Sequence, residues 1–239
     1  HATRGNFDKA IEDTEQGLRI AVENQGISGL KVVYFYLNLG NFYSDIGEYE
    51  QSTDYLKKVI YTVETSGTTN PRYLEKLVPF CLLSMGNNHL ALGELEEASI
   101  AFRKAGETLQ GKQSLFDLQL RALIGEGRVW AQKGEITLAL QYLQQAETLF
   151  QQSASSLPNN IRFLETQAAI QRELGHIYEK QQEWNPSLLA YKQALQLNLA
   201  GGDTKLYRTG PGIYHSIAGI FESKHELDSA LHYNQRALE

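Results

Sequence analysis

Two pairs of side chains in this chain have the spacing of metal ligands carried on a helix. Glu173 and His176, and again Glu222 and His225, lie three positions apart, so each pair occupies one face of a helix. Di-iron helical bundles use this Glu-x-x-His spacing, but they also need carboxylates that converge from adjacent helices. The two pairs lie in different segments, and no pattern brings them together. We therefore predict no metal site and no cofactor.

Two other patterns resemble nucleotide-binding or catalytic motifs. Residues 106–112 have the glycine and lysine spacing of a phosphate-binding loop, but Gln113 stands where serine or threonine is needed, and a helical pattern precedes the segment. Cys81 and His89 lie eight residues apart on one predicted helix, about 12 Å by helical rise, which is too far for a thiol and its base. Since no nucleophile, base or metal set converges, we predict that the chain is not an enzyme and that Cys81 is a packed thiol.

Composition and charge limit the remaining classes of function. The chain has 239 residues, a formal net charge of -6 and one cysteine. A negative balance disfavours a general binder of nucleic-acid phosphates, and a single cysteine excludes an intramolecular disulfide. No apolar run approaches the ~20 residues that span a bilayer, and residues 1–4 contain no signal-peptide hydrophobic region. We therefore expect a cytoplasmic protein without membrane or nucleic-acid partners.

A short turn recurs six times and indicates an array of helical repeats. The turns begin at Gly5, Gly47, Gly93, Gly134, Gln182 and His225. Five positions after each of these lies a small residue: Ala10, Ser52, Ala98, Ala139, Ser187 and Ala230. Seven positions further on lies a second small or compact residue: Gly17, Val59, Ala105, Ala146, Ala194 and Ala237. This register predicts a helix on each side of every turn.

The helices on the two sides of the turn have different patterns. Helices before the turn carry stripes at spacings of three and four that include a glycine or alanine, such as Leu39, Gly40 and Tyr43. Helices after the turn carry a larger residue between the two small ones: Leu56, Phe102, Leu143 and Tyr191. In the last unit Asn234 occupies this position, which predicts weaker packing there.

These motifs resemble tetratricopeptide repeats, whose signature is a bulky residue, Leu-Gly, an aromatic residue, and then alanine, an aromatic residue or leucine, and alanine. Successive turns are 42, 46, 41, 48 and 43 residues apart, whereas the standard repeat has about 34 residues. The spacing is similar to that of the long repeats of kinesin light chains, of Leu-Gly-Asn repeat adaptors and of bacterial signalling proteins. The resemblance implies an all-α fold, a right-handed α-solenoid of about eleven helices.

The same register predicts how the chain is organised. We expect one continuous array over residues 1–239, with a half repeat at 5–25 and repeats at about 28–66, 72–110, 114–153, 160–199 and 208–239. The first unit has only the second helix of a repeat, so we expect the chain to be part of a larger protein. Because an uncapped solenoid exposes its stacking surface, we also expect weak self-association through the ends.

The resemblance also implies where a ligand binds. In tetratricopeptide arrays the first helices line a concave groove, and motif positions 2, 5 and 9 point into it. In this chain these positions are Tyr34, Leu37, Asn41; Phe80, Leu83, Asn87; Arg121, Ile124, Arg128; Ala169, Arg172, His176; and Gly212, His215, Gly219. None of them is acidic, although Asp45, Glu173, Glu179 and Glu222 add acid farther along the same helices. We expect a partner with acidic groups.

We predict that eight of these residues bind a peptide: Asn41, Asn87, Arg121, Arg128, Arg172, His176, Tyr34 and Phe80. Asparagine amides can hold the backbone of an extended peptide, and arginines offer planar forks to carboxylates. The segments Leu39-Gly40-Asn41 and Met85-Gly86-Asn87 match the Leu-Gly-Asn form of long-repeat peptide binders. The alternative is that these asparagines and arginines are solvated or bond to neighbouring helices. The aromatic residues, together with Leu37 and Leu83, are either anchors for a ligand or packing residues.

The function predicted from these observations is a non-enzymatic module that binds a peptide or partner protein in its concave groove. The alternative within the same fold is a ligand- or peptide-sensing domain of a larger bacterial signalling protein, such as a regulator, a receptor or a protease fusion. A scaffold would hold its partner with little change of shape, whereas a sensor would shift between compact and extended forms. An RNA-reading repeat protein is disfavoured by the charge and by the variable repeat length.

Overall fold

The computed structural model describes residues 2–25, 29–154, 161–200 and 206–238, and all of its regular structure in these ranges is helical. The α-helices are α1 (Ala2–Gln25), α2 (Val33–Asp45), α3 (Tyr49–Thr65), α4 (Val78–Leu92), α5 (Leu95–Leu109), α6 (Phe116–Gln132), α7 (Ile136–Ala154), α8 (Ile161–Lys180), α9 (Trp184–Ala200), α10 (Leu206–Ser223) and α11 (Leu227–Leu238). Short 3₁₀ turns lie at Gly29–Lys31 and Gln113–Leu115, and a π-helical segment lies at Arg72–Leu77. The predicted all-α fold is confirmed. No helix in the described ranges is long and apolar enough to cross a membrane.

Helices that are neighbours in sequence pack on each other. Within repeats, α2 packs on α3, α4 on α5, α8 on α9 and α10 on α11. Between repeats, α1 packs on α2, α3 on α4, α7 on α8 and α9 on α10. The chain forms two compact units, an N-terminal unit of residues 1–129 and a C-terminal unit of residues 130–239. The expectation of one continuous array over 1–239, with the repeat bounds given above, stays a prediction.

The turn inside each complete repeat has one backbone geometry. Its first residue adopts a left-handed conformation, with φ of 86° at Gly47, 78° at Gly93, 84° at Gly134 and 60° at both Gln182 and His225. The next residue is always glutamate, and its amide donates to the carbonyl five positions earlier at 2.8–2.9 Å. This is the Schellman arrangement that ends a helix. The carbonyl of the same glutamate accepts a hydrogen bond from an amide of the next helix at 3.0–3.1 Å. One residue therefore caps the end of the first helix and the start of the second.

The sixth predicted turn, at Gly5, is wrong. Gly5 lies inside α1, which begins at Ala2. A Schellman turn joins two helices, and the described residues before Gly5 continue α1 instead of ending an earlier helix. The prediction that residues 5–25 form a half repeat stays a prediction.

The predicted packing register is present in the repeats built from α2 to α9, and its first small residue is also buried in the last repeat. The small residues five positions after the turn are at most 3% exposed: Ser52, Ala98, Ala139, Ser187 and Ala230. The larger residues that follow are at most 1% exposed: Leu56, Phe102, Leu143 and Tyr191. Shape complementarity between the two helices of a repeat is therefore built around this buried row.

Glycines on the first helices make room for these larger side chains. A Cβ on Gly40 would lie 3.0 Å from Leu56, and one on Gly175 would lie 2.6 Å from Tyr191. Phe102 occupies two such spaces, because a Cβ would lie 2.7 Å from its ring at Gly86 and 2.5 Å at Gly125 of the next first helix. Carbon atoms prefer about 3.5–4.0 Å, so any larger residue at these glycines would push the helices apart.

The last repeat departs from this pattern at the position of Asn234. The side chain of Asn234 is half-buried, and its amide donates to Glu222 Oε1 at 3.2 Å. The apolar residues beside it on α11 are exposed, with 59% of Leu231 and 89% of Leu238 accessible. The equivalent leucines of α9 pack against α10. The predicted self-association through such ends stays a prediction.

Pro79 accounts for the irregular start of the third repeat unit. It lies just inside α4, directly after the π-helical segment. Since proline has no amide hydrogen, the carbonyl of Glu75 cannot receive the usual α-helical bond from position 79. In the π segment the Val78 amide instead bonds to the Tyr73 carbonyl, five residues back.

One buried amide ties two successive repeats of the N-terminal unit together. Asn88 of α4 is 1% exposed, and its Nδ2 donates to Ser52 Oγ at 2.8 Å and to Thr53 Oγ1 at 3.2 Å on α3. Its Oδ1 accepts a bond from Ser44 Oγ of α2 at 3.1 Å. Buried polar groups are costly unless they are paired, so this side chain stabilises only the pairing of α4 with these partners.

Candidate functional site

The residues that the resemblance places in a groove occupy three register positions on each first helix, 13, 10 and 6 residues before the turn. We call them the first, middle and last face positions. The N-terminal unit carries them on α2, α4 and α6, and the C-terminal unit carries them on α8 and α10. The two sets are described separately below.

The middle face positions of the N-terminal unit belong to the core. Leu83 is fully buried, Ile124 is buried, and Leu37 is half-buried against the core cluster. The idea that Leu83 anchors a ligand is therefore wrong, because its side chain fills space between helices. The reason lies in the helical spacing, which places the middle position beside the apolar stripe that packs inward.

At the first face positions of this unit, aromatic rings hold guanidinium groups. The Cζ of Arg121 lies over the Phe80 ring, 5.5 Å from its centroid. The Tyr34 ring has Arg72 over it at 5.7 Å and the Tyr73 ring beside it at 6.4 Å. Contacts of this kind contribute about 0.5–1 kcal/mol at exposed sites and restrict where the guanidinium lies. Phe80 therefore serves as a platform for the arginine of the next repeat.

At the last face positions an arginine pairs with an asparagine. Arg128 Nη1 of α6 donates to Asn87 Oδ1 of α4 at 2.9 Å. Asn41 of α2 makes no hydrogen bond from its side chain within the described residues. The alternative that these residues bond to neighbouring helices thus holds for the carbonyl oxygen of Asn87. The Asn87 amide nitrogen and the whole side-chain amide of Asn41 are not used in bonds between described residues.

In the C-terminal unit the face residues bond to acidic and aromatic neighbours. Arg172 donates through Nε at 3.2 Å and through Nη2 at 2.8 Å to Glu173 Oε1, the adjacent residue on α8. His176 Nδ1 lies 2.6 Å from the hydroxyl of Tyr191 on α9, and that hydroxyl donates to Glu179 Oε2 at 2.5 Å. Tyr191 is the fully buried packing residue of its repeat. A face residue is therefore bonded directly to a core side chain.

The electrostatics of this cluster favour an ionised carboxylate and a neutral phenol. Burial raises the pKa of Glu179, but the nearby His176 imidazole, with Nδ1 3.9 Å away, and the hydrogen bond from Tyr191 outweigh that effect and hold the pKa below its ordinary value of 4.5. Burial and the neighbouring Glu179 both raise the pKa of Tyr191 above its ordinary value of 10. His215 of α10 is exposed and attracts the same carboxylate.

The residues with metal-ligand or catalytic spacing have other partners. Glu173 binds Arg172, Glu222 accepts a bond from Asn234, and His225 is the left-handed residue of a turn. Among the described residues, no group of three histidine, cysteine or acidic side chains could hold a metal ion.

The two patterns that resemble a phosphate-binding loop and a catalytic pair also have structural roles. Residues 106–112 end α5 and lead into a 3₁₀ turn. Cys81 is completely buried, and burial raises the pKa of its thiol to about 12, so it is a packed thiol as predicted. The Nδ1 of His89 lies 2.6 Å from Glu94 Oε2 in the turn that follows.

Sequence reasoning missed the partners of the face residues. Arg72 and Tyr73 lie in the π-helical segment, whose register cannot be counted from the regular repeat. Tyr191 was interpreted as a packing residue, and it is one, but its hydroxyl also reaches two polar residues of α8. The sequence contains a signal for this second role of Tyr191, because leucine or phenylalanine, which have no hydroxyl, occupy the same position in the three earlier repeats.

Comparison with known proteins bears on the fold. A family model described as tetratricopeptide repeat matches residues 33–62, which cover α2 and most of α3. No curated protein sequence matches the chain. Aspartyl phosphate phosphatase F from Bacillus subtilis is similar in structure, with a TM-score of 0.66 and 14% identity over 97% of this chain and 67% of that one.

Two further solved structures have the same kind of fold. BtubC from P. vanneervenii gives a TM-score of 0.64 at 12% identity, over 98% of this chain and 87% of that one. The TPR-like repeats of a Podosopora anserina protein described as a kinesin light chain give a TM-score of 0.56 at 13% identity, over 86% and 92% of the two chains. The predicted resemblance to tetratricopeptide repeats is thus confirmed at the level of the fold.

Proposed function

We propose that this array of tetratricopeptide-like repeats binds a partner protein through an extended acidic peptide, which lies on the face positions of the N-terminal unit. The fold is generally a scaffold for protein interactions and not for catalysis. The observation that carries the finer proposal is that two arginines of α6 are held in place by α4. Arg121 lies over Phe80, and Arg128 donates to Asn87.

Positioned arginines favour carboxylate binding because less conformational freedom is lost when the ligand arrives. A guanidinium has five N–H donors in a planar fork, and this geometry matches a carboxylate. The amide of Asn41 and the Nδ2 of Asn87 lie at the same register position on successive first helices and can bond to a peptide backbone. The exposed part of Tyr34 offers an apolar contact at the start of this row.

The experiment that tests this proposal is affinity capture from a lysate of the source organism, followed by mass spectrometry. The test variant combines Asn41→Asp, Asn87→Asp and Arg128→Glu, which reverses the charge of the last face positions. A control variant, Lys57→Glu with Arg103→Glu, changes the net charge by the same amount at exposed positions of second helices. We expect one specific partner that the wild type and the control capture and that the test variant loses.

Retention of that partner by the test variant at equal helicity would reject the proposal and place the binding surface on second helices or loops. Competition with a synthetic hexaglutamate peptide adds a check on ligand chemistry. We expect it to displace the partner from the wild type, since the proposed site recognises carboxylates.

A sensor domain is the second candidate function, and the contact between His176 and the packing residue Tyr191 favours it. A ligand that moves His176 would also disturb the packing of α9 on α8. Small-angle scattering with and without the captured partner distinguishes the two functions, because a sensor predicts a change in the radius of gyration on binding and a scaffold predicts little change.

A further inference from the structure

Arg72 is held on the N-terminal unit in the same way as Arg121, although it lies outside the three face positions. Its Cζ lies over the Tyr34 ring, 5.7 Å from the centroid, as the Cζ of Arg121 lies over the Phe80 ring at 5.5 Å. Tyr34 and Phe80 are the first face positions of α2 and α4. Each ring therefore holds one guanidinium that comes from a later segment of the same unit.

The π-helical segment brings Arg72 to the side of the helix that carries Phe80. The segment runs directly into α4, and the two residues lie eight positions apart. In a regular α-helix of 3.6 residues per turn, eight positions would rotate Arg72 about 80° away from that side. The π-helical turn accommodates one extra residue, so the rotation is close to that of seven α-helical positions, which is about two turns. By helical rise, the two backbones are about 11 Å apart along the axis.

Both guanidinium groups keep their donors available. Arg72 and Arg121 are exposed, and neither donates a side-chain hydrogen bond to another residue in the described part of the chain. Glu75, which lies in the same segment as Arg72, is paired with Lys112 instead, at 3.4 Å between Oε1 and Nζ. Asp117 lies one turn before Arg121 on α6 and attracts its guanidinium. A carboxylate from a ligand can therefore meet a charged, planar donor group at each of the two arginines.

The ring behind each guanidinium restricts its position without using its donors. A cation over an aromatic face is attracted by the π electrons of the ring, and the N–H groups stay free at the edge of the guanidinium plane. A peptide in polyproline II conformation advances about 3.1 Å per residue with three residues per turn, so side chains three positions apart lie on one side, about 9 Å from each other. Two glutamates with this spacing can reach groups about 11 Å apart, because their side chains have several rotatable bonds.

We propose that Arg72 is a further binding residue of the N-terminal unit, and that Arg72 and Arg121 together select an acidic peptide with two carboxylates three positions apart. The acidic peptide is taken from the proposed function, so this inference rests on it, whereas the spacing comes from the helix that carries Arg72 and Phe80. Arg121 alone accepts one carboxylate. Arg72 adds the second contact and makes the site sensitive to the sequence of the peptide and not only to its charge.

The experiment compares the binding of two fluorescein-labelled peptides of the same composition by anisotropy. Both contain glycine, serine and proline with two glutamates, which lie three positions apart in the first peptide and next to each other in the second. The wild type should bind the first peptide about threefold more tightly, as expected for one further exposed ion pair. Arg72→Gln should remove this preference. Lys76→Gln removes the same charge from an exposed position of the same segment and should keep the preference.

Equal affinity of the wild type for the two peptides, or a preference that Arg72→Gln retains at unchanged helicity, would overturn this inference. Failure of the proposed function has a different signature. In that case neither peptide binds, or both bind and the variant with Asn41→Asp, Asn87→Asp and Arg128→Glu binds them as tightly as the wild type does. Arg72 is not among the residues changed in that variant, so the two outcomes are distinguishable.

Discussion

The face residues of the two units are held by different parts of the structure. In the N-terminal unit Arg121 and Arg128 contact Phe80 and Asn87, which are themselves face residues of the preceding first helix. In the C-terminal unit His176 contacts Tyr191, the fully buried residue that fills the space beside Gly175. The contacts of Asn87 and Arg128 are therefore separate from the packing in the first unit, whereas that of His176 is coupled to it in the second. Substitutions that alter only binding are expected at the last face positions of α4 and α6, Asn87 and Arg128.

The largest expected effect is from removing the packing residues. Phe102→Ala and Tyr191→Ala should each lower the free energy of unfolding by about 3–5 kcal/mol, because each leaves a cavity between two helices. Phe80→Ala is the control on the face, and it should cost less, about 1–2 kcal/mol, because the ring packs on the core cluster but is only half-buried. Urea unfolding followed by circular dichroism measures all three. A cost for Phe80→Ala equal to that for Phe102→Ala would show that the face of the N-terminal unit is not separable from its core.

A smaller effect is expected when only a hydroxyl is removed. Tyr191→Phe should cost about 1.5–3 kcal/mol, since the hydroxyl donates one of its two partly buried hydrogen bonds to the charged carboxylate of Glu179. Tyr55→Phe is a matched control, because its hydroxyl bonds to Glu15 at 3.2 Å at an exposed site, and it should cost about 0.5 kcal/mol or less. Urea unfolding measures both losses of unfolding free energy. Equal losses for the two variants would contradict the coupling between face residues and packing in the C-terminal unit.

Substitutions in two of the turns should raise the stability of the protein instead of lowering it. Gln182→Gly and His225→Gly should stabilise the protein by about 0.5–1 kcal/mol, because a side chain at a left-handed residue costs about 1–2 kcal/mol and glycine's added chain entropy offsets only part of that. Both positions lie in the C-terminal unit, and their equivalents in the N-terminal unit are already glycine. The reverse change, Gly93→Gln, should destabilise by a similar amount in thermal unfolding. A gain from Gln182→Gly without a loss from Gly93→Gln would mean that the two units do not share one turn geometry.

The smallest expected effect is the coupling between two face residues. A double-mutant cycle with Asn87→Ala and Arg128→Ala should give an interaction free energy of about 0.5 kcal/mol, as for other partly exposed hydrogen-bonded pairs. Chemical denaturation of the four proteins measures it. A coupling above about 2 kcal/mol would show that this pair stabilises the fold and does not merely position the arginine.

The repeated part of the fold was accessible from the sequence because it depends on spacing. Five of six turns, the buried small residues and the larger residues at Leu56, Phe102, Leu143 and Tyr191 follow from one register. The failure at Gly5 shows the limit, since the same residue types also occur inside α1, where the helix continues through them. The sequence left Leu83 open as an anchor or a packing residue, because the resemblance assigned its position to a groove, and its burial decides for packing.

The contacts of the candidate site could not be predicted in the same way. The pairing of Arg128 with Asn87 and of His176 with Tyr191 depends on side-chain reach between helices, which residue spacing along one helix does not encode. Arg72 contacts Tyr34 from a π-helical segment that precedes Pro79, and that irregularity shifts the register by one residue. Roles in binding therefore have to be tested on each residue by itself.

Asn88 bears on whether these repeats could be exchanged for one another. Its amide is satisfied by Ser52, Thr53 and Ser44, a combination that no other repeat of the chain offers at the same positions. A rearranged array in which α4 followed a different second helix would bury the Asn88 amide without its partners. Such a chain could keep every turn and every small residue and still assemble poorly. The pairing of α4 with α3 is thus specified by a buried polar side chain, in addition to the turns and small residues that the repeats share.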